Sequence, residues 1–155
     1  MTTPETRLTA LGLTLPEPHA PIGNFRNVKR HGNLLYLSGQ GPVTAAGAYM
    51  QGRVGADISP EIAQQHARLT GLNMLGVLKA ELGELSRITD VIKLLGMVNA
   101  TSDFDRHPFV INGCSDLLCE VLGTAGPHAR SAIGVGSLPN NITVEIEAII
   151  AVKDS

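Results

Sequence analysis

Near its end the chain reads ARSAIGV at residues 129–135 and VEIEAIIAV at residues 144–152. Both segments are rich in branched and small apolar residues, and a run of turn formers separates them, so each predicts a β-strand. Because side chains alternate along a strand, the second segment has one wholly apolar face, whereas its other face carries Glu145 and Glu147. The sequence therefore predicts a sheet with an apolar face for the core and an acidic pair on the other face.

The preceding segments predict the other elements of the fold. Residues 15–24 hold three prolines and predict an ordered loop or linker arm, and residues 27–38 predict a β-hairpin. A helix is predicted over 59–82, because its first residues, SPE, are typical of a helix start and apolar residues follow at helical spacing. The apolar segment 88–98 predicts a strand covered on both faces, and 108–122 predicts a second helix. This order predicts an α+β two-layer sandwich, a mixed sheet with two helices on one face.

The composition indicates an oligomer and argues against nucleic acid as a partner. A chain of 155 residues predicts one domain, and 17% of these residues are charged, against about 25% in average soluble domains. We interpret the low charge as a sign of oligomerisation, with another subunit as the expected cover of the second sheet face. A net charge of −2, two Tyr, three Phe and no Trp argue against nucleic-acid binding.

Targeting, disulfide and metal signals are weak. No apolar stretch approaches the roughly 20 residues that a membrane helix needs, and the first residues lack the features of a signal peptide, so we expect a cytoplasmic protein. Cys114 and Cys119 are five residues apart in a predicted helix and point in different directions, so we expect two free thiols. The five histidines show no metal-ligand spacing, and we expect no metal site.

Charged residues inside apolar strands are the candidates for a functional site. An ionised carboxylate is costly to bury without a partner, so Glu145 and Glu147 need a wet cleft, a cation or a place at the rim. Arg130 needs an anion, and its planar guanidinium binds a carboxylate through two parallel hydrogen bonds. From the residues alone two explanations stay open. Arg130 binds a small-molecule acid, or it pairs with Glu145 or Glu147 on a neighbouring strand.

Several motifs together resemble one family. They are LSGQGP at 37–42, ARLTGLN at 67–73, DVIK at 90–93, and ARS at 129–131 followed by LP at 138–139 and VEIEA at 144–148. In this order they are similar to the Rid family, the reactive intermediate deaminases also called YjgF or L-PSP endoribonucleases. The length resembles that of the longer, chorismate-mutase-like subgroup. The resemblance covers residues 22–152, and it implies one domain over 1–155 with a core at 22–152 after an N-terminal arm at 1–21.

This resemblance implies a chorismate-mutase-like fold assembled as a homotrimer with clefts between its subunits. It also implies hydrolysis of enamines and imines, such as 2-iminobutanoate and 2-iminopropanoate, to 2-oxo acids and ammonia without a cofactor. Arg130 would bind the carboxylate of the substrate, and Glu145 would orient or activate the attacking water. The other positions that match the family's pocket are Ser38, Gly39, Phe25, Asn112 and Ala132.

Two of these positions depart from the family's pattern, because Phe25 stands where many members carry a tyrosine and Ala132 where a cysteine is common. Loss of a hydroxyl that orients substrate costs about 1 to 3 kcal/mol or changes the preferred substrate. Both departures favour an alternative in which the trimer binds a small carboxylate without turnover. A third hypothesis, the ribonuclease of the family's label, conflicts with the acidic balance. Chorismate mutase activity would rest on likeness of fold alone.

Overall fold

The computed structural model describes residues 2–154 and contains one mixed sheet. Its five strands are β1 (Val28–His31), β2 (Leu34–Gln40), β3 (Ile88–Asn99), β4 (Ala129–Val135) and β5 (Val144–Val152). Their order across the sheet is β1-β2-β5-β3-β4. β4 runs parallel to β3, whereas the other neighbouring pairs are antiparallel. The predicted hairpin and strands are confirmed, with small shifts at their ends.

Residues 2–154 form three α-helices, which are α1 (Pro4–Ala10), α2 (Pro60–Leu82) and α3 (His107–Leu122). α2 and α3 cover one face of the sheet, and α1 packs against α3. α2 begins as predicted, because the Ser59 side chain accepts a hydrogen bond from the amide of Ile62. It ends at Gly83, whose φ of 81° favours glycine. α2 and α3 pack closely at Gly113, where a Cβ would lie 2.0 Å from the carbonyl oxygen of Gln64.

The helix α1 is a correction, because two helices were predicted and the N-terminal residues were assigned to an arm. Thr3 caps α1 by accepting from the amide of Thr6, and Leu8 is buried in the core. Arg7 donates to the carbonyl of Val121 at the end of α3. The first helix is therefore packed on the core. The ends of the predicted domain, Met1 and Ser155, lie outside the described residues.

The two faces of the sheet differ sharply in burial. Leu94 and Val98 of β3 are fully buried beneath the helices, and Gly96 between them would place a Cβ against Ile111 of α3. The other face, which we call the open face, carries Tyr36 and Ile133, each more than two-fifths exposed. The prediction that β3 is covered on both faces is thus wrong for a single protomer, and its cover by another subunit stays a prediction.

The two cysteines are free thiols on α3, as their spacing predicted. Cys114 is buried, and burial raises the pKa of its thiol to about 12, so it stays protonated. Among residues 2–154 no helix has the length and apolar character needed to cross a membrane.

Candidate active site

Arg130 lies at one edge of the sheet, on the side of the helices. It is level with the buried Leu94 in the pairing of β4 with β3, and paired residues of neighbouring strands point to the same face. Its Nη1 donates to Oγ of Ser115 over 3.0 Å, and its Nη2 donates to the carbonyl of Pro108 over 3.3 Å. Arg130 is half-buried, so α3 holds its guanidinium against the strand edge.

Two further predicted pocket residues lie on the same side. Asn112 is half-buried on α3 and falls between Pro108 and Ser115 at helical spacing, so it shares their stripe of the helix. Ala132, two residues after Arg130 on β4, packs on the edge of the core. These residues, Arg130, Ser115, Pro108, Asn112 and Ala132, form what we call the arginine half-site.

Sequence reasoning missed the part of the arginine half-site that holds the cation. Ser115 and His128 are within hydrogen-bond distance, 2.9 Å between Oγ and Nε2. Ser115 had no marker in the sequence, because it lies thirteen positions before His128. The position of His128 two residues before Arg130 is the one available signal.

Glu145 lies on the open face, on the other side of the sheet. It is level with Met97 of β3, and Met97 is level with the exposed Ile133 of β4. The carboxylate is half-buried and makes no hydrogen bond to any other described residue. Burial raises the pKa of Glu145 above its ordinary value, and the charge of Glu147 raises it further.

Gly39 creates the space that the Glu145 side chain occupies. It lies in an irregularity of the β2–β5 pairing between Leu37 and Gln40. A Cβ at this position would lie 2.5 Å from Oε2 of Glu145 and 2.8 Å from its carboxyl carbon. Only glycine therefore leaves the carboxylate where it is, which explains the glycine of the SGQG motif.

Ser38 and Phe25 are both neighbours of Gly39. Ser38 donates from its Oγ to the carbonyl of Arg26 over 2.6 Å, so its hydroxyl ties the entering loop to β2. Phe25 is 51% exposed and lies with Gly39 at a cavity of about 380 Å³ beneath the proline-rich segment 16–22. Gly39 contacts Glu145, follows Ser38 in β2 and lines a cavity with Phe25, so we group Glu145, Gly39, Ser38 and Phe25 as the glutamate half-site.

One protomer does not bring the two half-sites together. Arg130 and Glu145 lie on opposite faces of the sheet, and β3 separates their strands. Within residues 2–154, Arg130 forms no ion pair with an acid, and the three salt bridges lie elsewhere. The explanation that Arg130 pairs with Glu145 or Glu147 of its own chain is therefore wrong, because those acids are not on a neighbouring strand.

Comparison with known proteins places this fold in a family. The family model described as "YjgF/chorismate_mutase-like, putative endoribonuclease" matches residues 5–149. The chain belongs to this family. The resemblance drawn from the sequence motifs is confirmed, and the YjgF-type fold with it.

Relatives of this YjgF-family chain cover almost its full length. Protein TCP17 of Trypanosoma cruzi is 36% identical over 148 residues, 95% of this chain and 92% of that protein. A 2-iminobutanoate/2-iminopropanoate deaminase of Dermatophagoides farinae is 29% identical over 141 residues, 91% of this chain and 95% of that protein. The crystal structure of Atu1372 from Agrobacterium tumefaciens superimposes with a TM-score of 0.90 at 44% identity, covering 97% of this chain and 92% of that one.

Proposed function

We propose that the protein hydrolyses reactive 2-imino acids, of the 2-iminobutanoate and 2-iminopropanoate type, to 2-oxo acids and ammonia. The observation that carries this proposal is the division of charge between the half-sites. Among residues 2–154, the Arg130 guanidinium is held by neutral groups and meets no carboxylate, and the half-buried Glu145 carboxylate meets no cation. A small acid with an electrophilic carbon between the two groups satisfies both.

The site is completed by a second copy of the chain. Arg130 lies at the exposed edge strand β4, and Glu145 lies on the open face, so the edge of one protomer can reach the open face of the next. The exposed apolar side chains of that face, Tyr36 and Ile133, and the low charge of the chain support its burial in an oligomer. We propose a homotrimer with three such clefts, as the family resemblance implies.

In this cleft Arg130 would bind the substrate carboxylate, and Glu145 would hold one water beside C2 of the imine. The protonated imine carbon is already electrophilic, so orientation and one base suffice. Water adds to C2 while Glu145 accepts its proton, which gives a carbinolamine. Glu145 returns that proton to the nitrogen. As the C–N bond breaks and ammonia leaves, the carbinolamine hydroxyl gives its proton to Glu145, which passes it to the departing ammonia, and the hydroxyl oxygen becomes the carbonyl oxygen of the 2-oxo acid. A carboxyl group with a raised pKa suits both proton transfers near neutral pH.

The test is competition between the protein and semicarbazide for an imine. 2-Iminobutanoate is generated in place from threonine by a dehydratase, and semicarbazone formation is followed with and without the protein. We expect the wild type to lower the semicarbazone signal, because it hydrolyses the imine first. Arg130→Ala should lose about a hundredfold in kcat/KM, since removal of a bidentate charged anchor costs about 3 kcal/mol.

The matched control is Arg68→Ala, which removes an exposed arginine paired with Glu120 on the outer helices. It should keep the wild-type rate. Size-exclusion chromatography with light scattering checks that each variant keeps the oligomeric state of the wild type. Equal semicarbazone signals for wild-type protein and buffer across a panel of 2-imino acids would refute the deaminase.

A second candidate is a small-carboxylate binder without turnover. Phe25 favours it, because its ring offers no hydroxyl to orient a substrate. Calorimetry with 2-oxobutanoate separates the two, since tight binding together with no imine hydrolysis would select the binder.

A further inference from the structure

A chain of hydrogen bonds leads from the backbone to Arg130 through two residues that the proposed mechanism does not use. The carbonyl of Gly126 is 2.6 Å from Nδ1 of His128. Nε2 of the same ring is 2.9 Å from Oγ of Ser115, and that oxygen is 3.0 Å from Nη1 of Arg130. Three separate elements meet here, namely the turn before β4, the middle of α3 and the edge strand β4.

With His128 as a neutral imidazole, the direction of every bond in this chain follows from chemistry. A carbonyl oxygen only accepts, so Nδ1 of His128 carries the proton and donates it to Gly126. In the neutral ring Nε2 is then an acceptor, and the Ser115 hydroxyl donates to it. The oxygen of Ser115 accepts from Arg130, which only donates. Each group has one role, so the Gly126 carbonyl sets the orientation of the serine.

This arrangement occupies only part of the guanidinium. Of its five N–H donors, one on Nη1 is used by Ser115 and one on Nη2 by the carbonyl of Pro108. The remaining N–H groups are left for a carboxylate, and a guanidinium that is already oriented loses less conformational freedom when it binds. Ser115 and Pro108 are neutral, so they orient the cation without competing for its charge.

We propose that Ser115 and His128 are positioning residues that hold Arg130 in the orientation that binds the substrate carboxylate. This inference rests on the proposed function for its catalytic consequence. A serine beside a histidine is also the arrangement of a nucleophile and its base. Here, however, the Ser115 oxygen is engaged by Arg130, and the serine lies in the middle of a helix packed on the sheet.

The first experiment separates KM from kcat for substitutions along the chain. Ser115→Ala removes the acceptor for Arg130 and should raise KM for the imine about tenfold, as expected for one hydrogen bond to a charged group. The same variant should change kcat less than about threefold, because water and Glu145 are untouched. His128→Leu should follow Ser115→Ala, since the serine loses its acceptor.

Conservative variants distinguish positioning from a merely structural role. Ser115→Thr keeps the hydroxyl, and His128→Gln offers a carbonyl oxygen near the place of Nε2, so both should retain KM within about threefold of the wild type. Ser86→Ala, in the short 3-10 turn before β3, and His31→Gln, at the exposed end of β1, lie away from both half-sites. They are the matched controls and should leave both constants unchanged.

A second measurement needs no substrate and therefore stands even if imine turnover is absent. Nitrogen-15 NMR of the free protein should show His128 protonated on Nδ1, and slow rotation of the Arg130 guanidinium. Ser115→Ala should release that rotation, and Ser115→Thr should restrict it again. Absent turnover in the wild type, with these spectra as expected, would refute the deaminase and leave the positioning of Arg130 supported.

Three results would overturn the positioning role. They are an Nε2-protonated His128 ring in the wild type, an Arg130 guanidinium that rotates equally in wild type and Ser115→Ala, and an unchanged KM in an active Ser115→Ala variant. Covalent labelling of Ser115 by a serine-reactive phosphonate would also overturn it, because the serine would then be the nucleophile.

Discussion

The arginine half-site and the glutamate half-site hold their charges in opposite ways. Arg130 has two neutral acceptors from α3, which orient its guanidinium and leave its charge intact. Glu145 has no hydrogen-bond donor among the described residues, is half-buried, and lies near the charge of Glu147, so its ionised form is disfavoured. The difference is the basis for our proposal that Arg130 binds an anion and that Glu145 exchanges a proton.

The largest expected effect comes from Glu145→Gln, which keeps the shape of the side chain and removes its basicity. If Glu145 moves the proton, kcat should fall by about 10² to 10⁴, the usual contribution of a general base. KM should change little, because Arg130 still binds the carboxylate. Steady-state kinetics in the semicarbazide assay measure both constants. If the variant has a raised KM and an unchanged kcat, Glu145 contributes to substrate binding and not to proton transfer.

Gly39→Ala moves the same carboxylate without changing its chemistry. The new Cβ would lie 2.5 Å from Oε2, and a flexible side chain can rotate away, so the fold should persist while the carboxylate leaves its place. We expect kcat/KM to fall about ten- to a hundredfold, since small misplacements of a catalytic group are costly.

The matched control for that substitution is Gly136→Ala, where a Cβ meets no atom within 4 Å. Its kcat/KM should equal that of the wild type. Thermal unfolding of both variants at wild-type temperatures would show that the fold persists. Full activity of Gly39→Ala would mean that the observed position of Glu145 is not the working one.

A smaller effect is expected from Phe25→Tyr, which adds to the glutamate half-site the hydroxyl that the family resemblance implies at this position. One additional hydrogen bond contributes about 0.5 to 1.5 kcal/mol, so kcat/KM should rise about two- to tenfold for small 2-imino acids. The same panel of imines used for the wild type measures the change. A fall for every imine would indicate that the phenylalanine is matched to a different substrate.

The smallest expected effect is on the free energy of unfolding, to which the protonation of Glu145 contributes. Because burial and Glu147 raise the pKa of Glu145, its proton stabilises the fold, and this stabilisation is lost as pH rises above the ordinary range of a carboxyl. Glu145→Gln should therefore stabilise the protein at pH 7 and not at pH 4. Chemical denaturation at both pH values measures the difference.

Glu5 supplies the opposite case within the same chain. Burial alone would raise its pKa, but hydrogen bonds from the Leu85 amide and Lys79 lower it. Its stabilisation is therefore present at neutral pH and is lost as pH falls through the lowered pKa. Glu5→Gln should destabilise the protein by less than about 1 kcal/mol at pH 7, since the pair is partly exposed. If Glu145→Gln and Glu5→Gln both stabilised the protein at pH 7, the opposite pKa shifts of the two acids would be contradicted.

The structure confirms the predicted elements in which a regular apolar pattern extends over enough residues to be recognised. The strands at β3, β4 and β5 and the helix that begins after Ser59 all have enough residues for the pattern to show. α1 was missed because seven residues give too little periodicity, although its TPE start repeats the SPE pattern at the start of α2. A hydroxyl, a proline and an acid in sequence were the signal that could have found it.

The candidate site was predicted in its residues and not in its geometry. Arg130 and Glu145 became candidates because charge is costly in an apolar strand. The strand order was not predicted, so pairing between them stayed open until β3 was found to separate their strands. The contact of Gly39 with Glu145 depends on an irregularity in strand pairing that no local pattern indicates.

By itself the sequence determined the class of fold and the family, and it singled out the charged residues of the candidate site, because alternation, capping and charge inside strands are local properties of the chain. Tertiary structure alone decided which face each charge occupies, and that Ser115, His128 and Arg130 meet. Such contacts join residues from a helix, a turn and an edge strand. Their distances follow from how α3 packs on β4, which depends on the whole core and on no single segment.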